Sequence, residues 1–182
     1  FNSVEGFNTS VGLTYRKQWE ESGLRSLRIS PSLRYGFSNT HFNAKLEGEY
    51  RYNSKRNSIL RVEGGSDVVQ FNPENPINAL VNSMYSLLAR KNYMKVYEKR
   101  YGRLEHRSEL FNGLRLGLAA EFADRLPLRN TTSYAIASTG DRKYTTNIPW
   151  MAEYPELNAL ADEPWFLERY EVPRNQSFTL EA

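Results

Sequence analysis

Strict alternation of apolar and polar side chains in the first seventy residues is the feature that most limits what this chain can fold into. Four segments, at about residues 7–19, 26–37, 42–52 and 59–70, carry apolar or aromatic residues at every second position. Because successive side chains of a strand point to opposite faces, each segment predicts a strand with one apolar and one polar face. Each segment is also about as long as a tilted strand that crosses a membrane, roughly ten residues.

The aromatic residues favour a membrane strand over a strand of a soluble sheet. In the first three segments the apolar face ends in large rings such as Trp19, Phe37 and Tyr52. Rings at these positions are typical of strands that anchor at the two membrane interfaces. A soluble sandwich or lipocalin-like barrel alternates in the same way and stays as the alternative. We predict an all-β fold with a helical insertion, forming part of an antiparallel transmembrane β-barrel.

Composition agrees with this fold and excludes several classes of function. The 182 residues have a mean hydropathy of -0.66 and contain no apolar run long enough for a membrane-spanning helix. A barrel can be this polar because half of each strand faces the lumen. The net charge of +3 is interspersed with acids, so no nucleic-acid partner is expected. With no cysteine and two histidines, we expect no disulfide, metal site or cofactor.

The hydrophobic period changes from two to about 3.6 after the fourth segment, which predicts a helical insertion at about 76–100. Asn75 is a suitable N-cap and Pro76 suits the first helical position. The apolar stripe of this helix is a candidate partner contact and comprises Ile77, Leu80, Val81, Met84, Leu87 and Leu88. The helix packs either under the barrel rim or against a neighbouring domain, or it enters the lumen as a plug. The basic segment 91–105 has mixed periodicity, so it predicts no defined structure.

Weaker patterns follow in the second half of the chain. We predict strands at about 109–122 and 131–138, with Asp124 and Arg125 in a turn between them and as further candidate partner contacts. Frequent prolines predict a long loop at about 139–174, with a short helix around 157–162. Residues 175–182 begin to alternate and predict a strand that is cut short. The whole of 1–182 is expected to form one partial β-barrel domain, taken from the interior of a longer precursor, with further strands supplied from elsewhere.

The polar faces of the predicted strands carry charges of both signs. Acidic residues there are Glu47, Glu49, Glu63, Asp67 and Glu121, and basic ones are Lys45, Arg51, Arg61 and Arg115. Such a mixture predicts ion pairs between strands and a narrow or plugged interior instead of an open pore.

One pair of residues matches the requirements of a membrane lipid hydrolase. His106 and Ser108 are two residues apart, as a base and nucleophile on one strand face would be, and Asn112 follows. This spacing is common by chance and no oxyanion-hole motif accompanies it, so we expect no enzymatic activity.

Several runs resemble an uncharacterised family of Bacteroidota outer-membrane proteins. They are FNSVEGF at 1–7, FNP at 71–73, NPI at 75–77, NSMYSLL at 82–88, NYMKVYEK at 92–99, ELFNG at 109–113 and ADRLPLRNTT at 123–132. Proteins of this family resemble one another in having a carboxypeptidase-regulatory-like domain before a large barrel. The resemblance implies location in the bacterial outer membrane, and it implies no reaction.

From this location we expect contacts with outer-membrane lipid and with other envelope proteins. If the preceding domain is periplasmic, segments 20–23 and 54–57 face outside, 38–40 is a periplasmic turn, and the helical insertion lies on the periplasmic side. The expected role is a non-enzymatic accessory or scaffold component of envelope assembly or transport. A conduit for a small or lipidic solute is the alternative, and a barrel-embedded lipid hydrolase is a more distant one.

Overall fold

The computed structural model describes residues 1–19, 25–53, 55–137, 140, 142–152, 154–160, 163, 165–166 and 174–181. Within these residues we distinguish eight strands and three helices. The strands are β1 (Asn8–Gly12), β2 (Tyr15–Trp19), β3 (Arg25–Gly36), β4 (His41–Asn53), β5 (Ser58–Gln70), β6 (Val96–Phe111), β7 (Leu114–Pro127) and β8 (Asn175–Glu181). The helices are α1 (Ala79–Ala89), α2 (Pro149–Ala152) and α3 (Pro155–Leu160).

All eight strands form one antiparallel sheet in the order β1-β3-β4-β5-β6-β7-β8, with β2 also paired to β3. The mostly antiparallel β architecture with few helices confirms the all-β class. The sheet is not closed: within the described residues, β1 with β2 forms one edge and β8 forms the other.

The first predicted strand, 7–19, is divided into β1 and β2 at the position opposite a proline of β3. β1 and β2 pair with β3 in one continuous register, which places Leu13 opposite Pro31. Leu13 N–H donates to the Pro31 carbonyl (3.0 Å), but Pro31 has no N–H to return the bond. The ladder is therefore interrupted there without a change of register.

The next three predicted strands agree with β3, β4 and β5 within one residue, and the later strand predictions require correction. The helical insertion does not extend to residue 100, because α1 ends at Ala89 and the charged segment from Val96 is β6. The predicted strand at 109–122 is the end of β6, a turn at residues 112–113 and most of β7. Asp124 and Arg125 lie within β7 and not in a turn.

Residues 131–137 are not a strand, contrary to the prediction for 131–138, of which residue 138 lies outside the described part. Their backbone instead binds the N-terminal turn and helix α1: Thr131 N–H donates to Ser3 O (2.9 Å) and Ile136 N–H to Leu87 O (2.9 Å). Much of the predicted loop at 139–174 lies outside the described residues, but α2 and α3 fall within it. α3 overlaps the short helix predicted at 157–162, and β8 is the strand predicted from residue 175.

Helix α1 begins three residues later than predicted. Its N-cap is Asn78, whose side-chain Oδ1 accepts hydrogen bonds from the N–H groups of Leu80 (2.9 Å) and Val81 (3.2 Å), so Asn75 is not the cap. Ile77 is held outside the helix because Gln70, the last residue of β5, hydrogen-bonds to both its N–H and its C=O. The C-cap that follows Ala89 is Arg90, which adopts the left-handed conformation (φ 49°).

Buried apolar residues are few, and the two clusters that they form lie at one end of the sheet or outside it. One cluster joins Val4, Val68, Met94 and Val96, with Leu128 packed against it, and a second joins Ile148, Met151 and Phe166. The first cluster lies at the end of the sheet where β5 ends and β6 begins, next to α1. Of the helices described, none is long and apolar enough to span a membrane.

Candidate functional site

The strand register separates apolar and polar residues through the middle of the sheet. One row runs through seven strands and contains only apolar, aromatic or glycine residues: Tyr15, Ile29, Gly48, Val62, Leu104, Ala120 and Leu180. The row one residue away is polar: Ser30, Glu47, Glu63, Arg103, Glu121 and Thr179. Because adjacent residues of a strand point to opposite faces, we call these the apolar face and the polar face.

The apolar face is exposed. Val62, Leu104 and Leu118, in three neighbouring strands of the middle of the sheet, are 52%, 51% and 50% exposed, and Leu180 at the β8 edge is 71% exposed. No described part of the chain covers these side chains. An apolar surface this extensive is typical of a region that contacts a membrane or another protein.

The polar face is held together by ion pairs between neighbouring strands, as the sequence predicts for Lys45, Asp67, Glu49, Arg61 and Glu121. Lys45 Nζ lies 2.5 Å from Asp67 Oδ2, Arg61 Nη2 lies 2.8 Å from Glu49 Oε2, and Lys99 Nζ lies 2.7 Å from Glu121 Oε1. Glu63 is bound by the Tyr101 hydroxyl instead of a cation. These contacts join β4, β5, β6 and β7 into one charged network without a large excess of either sign.

Helix α1 has an unusual orientation, because its polar side is inside and its apolar side is outside. Asn82 and Ser86 are both 0% exposed, whereas Leu80 is 72%, Met84 56% and Leu88 53% exposed. Of the other predicted contact residues, Ile77 and Val81 are also exposed and Leu87 is half-buried. The stripe predicted as a partner contact is therefore available on the surface.

A network of buried polar side chains fixes this orientation. Asn82 Oδ1 accepts from the N–H groups of Tyr93 (3.0 Å) and Met94 (2.9 Å), and its Nδ2 donates to Asn92 Oδ1 (2.8 Å). Asn92 Nδ2 in turn donates to Ser3 Oγ (2.6 Å). The Tyr144 hydroxyl lies 2.7 Å from the Ser86 carbonyl oxygen, and burial raises the pKa of this phenol. Each buried polar group thus has a partner that an apolar helix face could not supply.

Asn147 extends this network to the beginning of β6. Its Oδ1 accepts from Val96 N–H (3.0 Å), and its Nδ2 donates to the carbonyl oxygens of Val96 (2.6 Å) and Leu128 (2.7 Å). The side-chain amide therefore takes the place of a neighbouring strand on the β7 side of Val96, because β7 ends opposite Tyr97.

The N-terminal turn joins the polar face of the sheet to the same network. Glu5 is 0% exposed, and its carboxylate accepts from Arg34 Nε (2.7 Å) and Nη2 (2.5 Å) of β3. Asn2 Nδ2 donates to the same carboxylate (2.8 Å). Paired hydrogen bonds from one guanidinium are among the stronger ionic contacts in proteins.

Sequence reasoning identified the apolar stripe of α1 but missed the asparagines that set its direction. The available signal was that residues 79–89 contain no charged side chain, so the polar side consists of asparagine and serine alone. A helix side that faces water usually carries charges, and one that consists of small amides and hydroxyls is suited to burial.

The remaining predicted residues are not brought together with α1. Asp124 is buried and its carboxylate accepts from Arg174 Nε (2.7 and 2.8 Å), which links β7 to the residue before β8. Arg125 is half-buried in β7. These contacts are internal, so they do not support the prediction that Asp124 is a partner contact.

The structure does not join the two residues of the potential hydrolase pair. His106 Nε2 lies 2.7 Å from the Tyr52 hydroxyl, and Ser108 Oγ lies 2.7 Å from Ser58 Oγ. No hydrogen bond between His106 and Ser108 occurs in the described structure, although they share a strand. In the same described residues there is no group of three or more potential metal ligands.

Basic side chains surround the C-terminal end of α1. Arg142 Nη1 donates to the Ala89 carbonyl (3.1 Å) and Arg90 Nη1 to the Arg142 carbonyl (3.1 Å), with Lys91 and Lys143 exposed beside them. No described carboxylate forms an ion pair with these four residues. Nearby, Lys95 Nζ donates to Thr145 Oγ1 (2.7 Å), and burial lowers the pKa of this ammonium to about 8.

Comparison with known proteins identifies a family but no characterised relative. No curated protein and no solved structure matches the chain. The model of the family of unknown function DUF5686, C-terminal domain, matches residues 1–165. Since the match covers most of the chain, the protein belongs to this family of unknown function.

Proposed function

We propose that this chain forms part of the wall of an outer-membrane β-barrel that acts as a non-enzymatic scaffold or accessory component in envelope assembly or transport. The observation that carries the proposal is the register that places an exposed apolar row and an ion-paired polar row on opposite faces of one sheet. A soluble protein would cover such an apolar face with another layer, whereas lipid covers it in a barrel.

The strand lengths support a membrane-crossing sheet. The five longest strands, β3 to β7, contain 12, 13, 13, 16 and 14 residues. A tilted strand crosses the hydrocarbon core with about 9–11 residues, so each of them is long enough. Rings on the apolar face, such as Trp19 at one end and Phe42 at the other, suit the two membrane interfaces.

The polar face favours a scaffold over an open conduit. Charges on β4 to β7 are satisfied by one another at 2.5–2.8 Å, as in Lys45–Asp67 and Arg61–Glu49. A selective pore needs a bias of charge or unpaired groups to attract its solute. The separate partners of His106 and Ser108 likewise give no support to a hydrolase.

Membrane insertion can be tested with two neighbouring cysteines, because this segment contains none of its own. In the full-length protein, free of other cysteines, we would introduce Leu118→Cys on the apolar face or Gly117→Cys on the polar face, and label each with a fluorophore. Phospholipids that carry a nitroxide in their acyl chains should quench the label at residue 118 and spare that at 117. Equal quenching of both labels would contradict the proposal.

The accessory role is tested by mild detergent extraction of the full-length protein from outer membranes. Stoichiometric recovery of other envelope proteins is the expected result. Recovery of the protein alone, together with conductance or solute uptake after reconstitution, would favour a conduit. Lipid cleavage that is lost in Ser108→Ala would favour the hydrolase. Either of the last two results would overturn the scaffold assignment.

A further inference from the structure

We infer that the exposed apolar side of α1 lies in the headgroup region of a membrane leaflet, at the end of the sheet where β5 ends and β6 begins. Basic side chains next to the helix bind anionic lipid headgroups there. This inference rests on the proposed membrane function and adds a specific lipid contact to it. The contact surface comprises Ile77, Leu80, Val81, Met84, Tyr85, Leu88 and Tyr93, and the basic group comprises Arg90, Lys91, Arg142 and Lys143.

The first argument is that the protein itself holds the apolar side outward. Asn82 and Ser86 are fully buried, and turning the helix would break the bonds from Asn82 to the N–H groups of Tyr93 and Met94. Leaving such groups buried without partners is unfavourable, so this orientation is the stable one. The exposed leucines are therefore a maintained feature of the fold.

The second argument is continuity with the apolar face of the sheet. The Phe1 backbone nitrogen donates to Ser83 Oγ of α1 (2.7 Å), while the Phe1 ring packs edge-on against Phe7 with centroids 5.1 Å apart. Phe7 directly precedes β1 and is 53% exposed, and Tyr134 packs against both rings at 6.1 Å. One aromatic cluster therefore connects α1 to the surface that we assign to lipid.

The third argument is the chemistry around the helix. The Tyr85 and Tyr93 rings, 49% and 50% exposed, pack edge-on with centroids 5.5 Å apart. Amphipathic rings of this kind are enriched at the headgroup level of membranes. The net charge of the basic group at the end of α1 is positive even when Asp141, which precedes Arg142 in the sequence, is included. A leucine-rich surface with tyrosines, and with cations that have no described carboxylate partner, suits an anionic membrane surface.

Three labelled variants of the full-length protein in lipid nanodiscs test the position of α1. Met84→Cys reports on the helix, Leu118→Cys on the apolar face of the sheet, and Lys55→Cys on the exposed hairpin at the other end. Phospholipids that carry a nitroxide near the headgroup should quench the label at residue 84. Iodide in the water should quench the label at 55 far more than that at 84.

The outcomes separate this inference from the proposed function. Quenching of the label at 118 by acyl-chain nitroxide, without quenching of the label at 84 by headgroup nitroxide, would overturn the inference and leave the membrane sheet intact. Absence of quenching at both positions, each with its own nitroxide lipid, would overturn both. If the label at 84 in native outer membranes is shielded from iodide and from nitroxide lipid alike, another protein covers the helix, and the lipid contact is also refuted.

The role of the basic group is tested by the lipids that remain bound in native mass spectrometry. The wild-type protein should retain phosphatidylglycerol in preference to phosphatidylcholine, and Lys91→Gln with Lys143→Gln should weaken that preference by about fivefold per charge removed. Lys55→Gln with Arg56→Gln removes the same charge from the hairpin at the other end and serves as the matched control. Equal effects of the two double variants would refute a specific headgroup site.

Discussion

Replacement of Asn82 by leucine should loosen the attachment of α1 while leaving the sheet intact. The Asn82 side chain is fully buried and makes three hydrogen bonds of 2.8–3.0 Å, to Asn92, Tyr93 and Met94. Leucine is close to asparagine in size but supplies no polar atom. The variant therefore tests whether buried polar contacts, and not apolar packing, hold the helix in its observed orientation.

The magnitude follows from the groups that lose a partner. Met94 N–H and Asn92 Oδ1 are both buried, and each unsatisfied group costs about 1–3 kcal/mol, which gives about 2–6 kcal/mol in total. The added apolar burial of leucine offsets part of this cost, so we expect a value in the lower half of the range. Because 1.4 kcal/mol corresponds to a factor of ten, about 2 kcal/mol would raise local opening about 30-fold.

Hydrogen–deuterium exchange of the full-length protein, read by mass spectrometry, measures that opening. Peptides that contain the Tyr93 and Met94 amides should exchange at least about 30-fold faster in Asn82→Leu, whereas peptides from β4 and β5 should be unchanged. The matched control is Asn72→Leu, because Asn72 is exposed at the same end of the sheet. Unchanged protection at residues 93 and 94 in Asn82→Leu would refute the reasoning.

Three further perturbations test other parts of the structure. Arg34→Leu leaves the Glu5 carboxylate buried without its cation and should cost about 3–5 kcal/mol, measured by urea unfolding in detergent, whereas a loss under 1 kcal/mol would contradict a buried pair. Gly65→Ala should lower the free energy of unfolding by at least about 1–3 kcal/mol, because φ is +133° and the new Cβ would lie 2.2 Å from a carbonyl oxygen of β4. The control is Gly102→Ala, which should be tolerated because no atom lies within 4 Å of the new Cβ. Burial lowers the pKa of Lys95 to about 8 in the folded chain, against 10.5 for an exposed lysine, so the unfolded chain binds more protons between these limits and stability should rise with pH from 8 towards 10. Lys95→Gln should abolish that rise, and an unchanged rise would contradict the assignment to Lys95.

The central strands were predictable because every second residue of each strand is apolar, which gives the strand one apolar face. In β3 and β4 the alternation continues for the length of the strand, and the observed bounds agree with those predicted within one residue. The division of the first strand at Leu13 was not predicted. It depends on Pro31, which lies in the neighbouring strand and has no effect on the local pattern of residues 7–19.

Strand β6 could not be predicted because it has polar residues on both faces near its beginning. Glu98 and Arg100 share a face and are joined by an ion pair (2.7 Å), while Lys99 on the other face pairs with Glu121. Leu104 is followed on the same face by His106 and Ser108, so a pattern search finds neither a strand nor a helix in this segment. Pairing with β5 and β7, which the local pattern of this segment does not reveal, stabilises it from residue 96 onward.

The apolar stripe of α1 was predictable, but its exposure was not, and this difference bears directly on function. Periodicity identifies two helix sides and conventionally assigns the apolar one to the core. In this protein the core side is chosen above all by Asn82, whose partners Asn92, Tyr93 and Met94 are 10 to 12 residues away and lie outside the helix. Such amide contacts leave no periodic trace, so only the structure shows which side faces outward.

The inverted helix and the two-faced sheet together favour an external function for the apolar residues. If α1 packed its apolar side against the sheet or another layer of this chain, its leucines would be buried and Asn82 would face water. Instead the protein satisfies Asn82 internally and keeps Leu80 and Met84 outward. Ser83 of the same helix binds Phe1, whose ring belongs to the aromatic cluster that continues to the apolar face of β1. Maintaining two connected apolar surfaces is costly in water but favourable against lipid. The polar face, already neutralised by its own ion pairs, then needs no solute or partner to be stable, which is the behaviour expected of a wall and not of a selective pore.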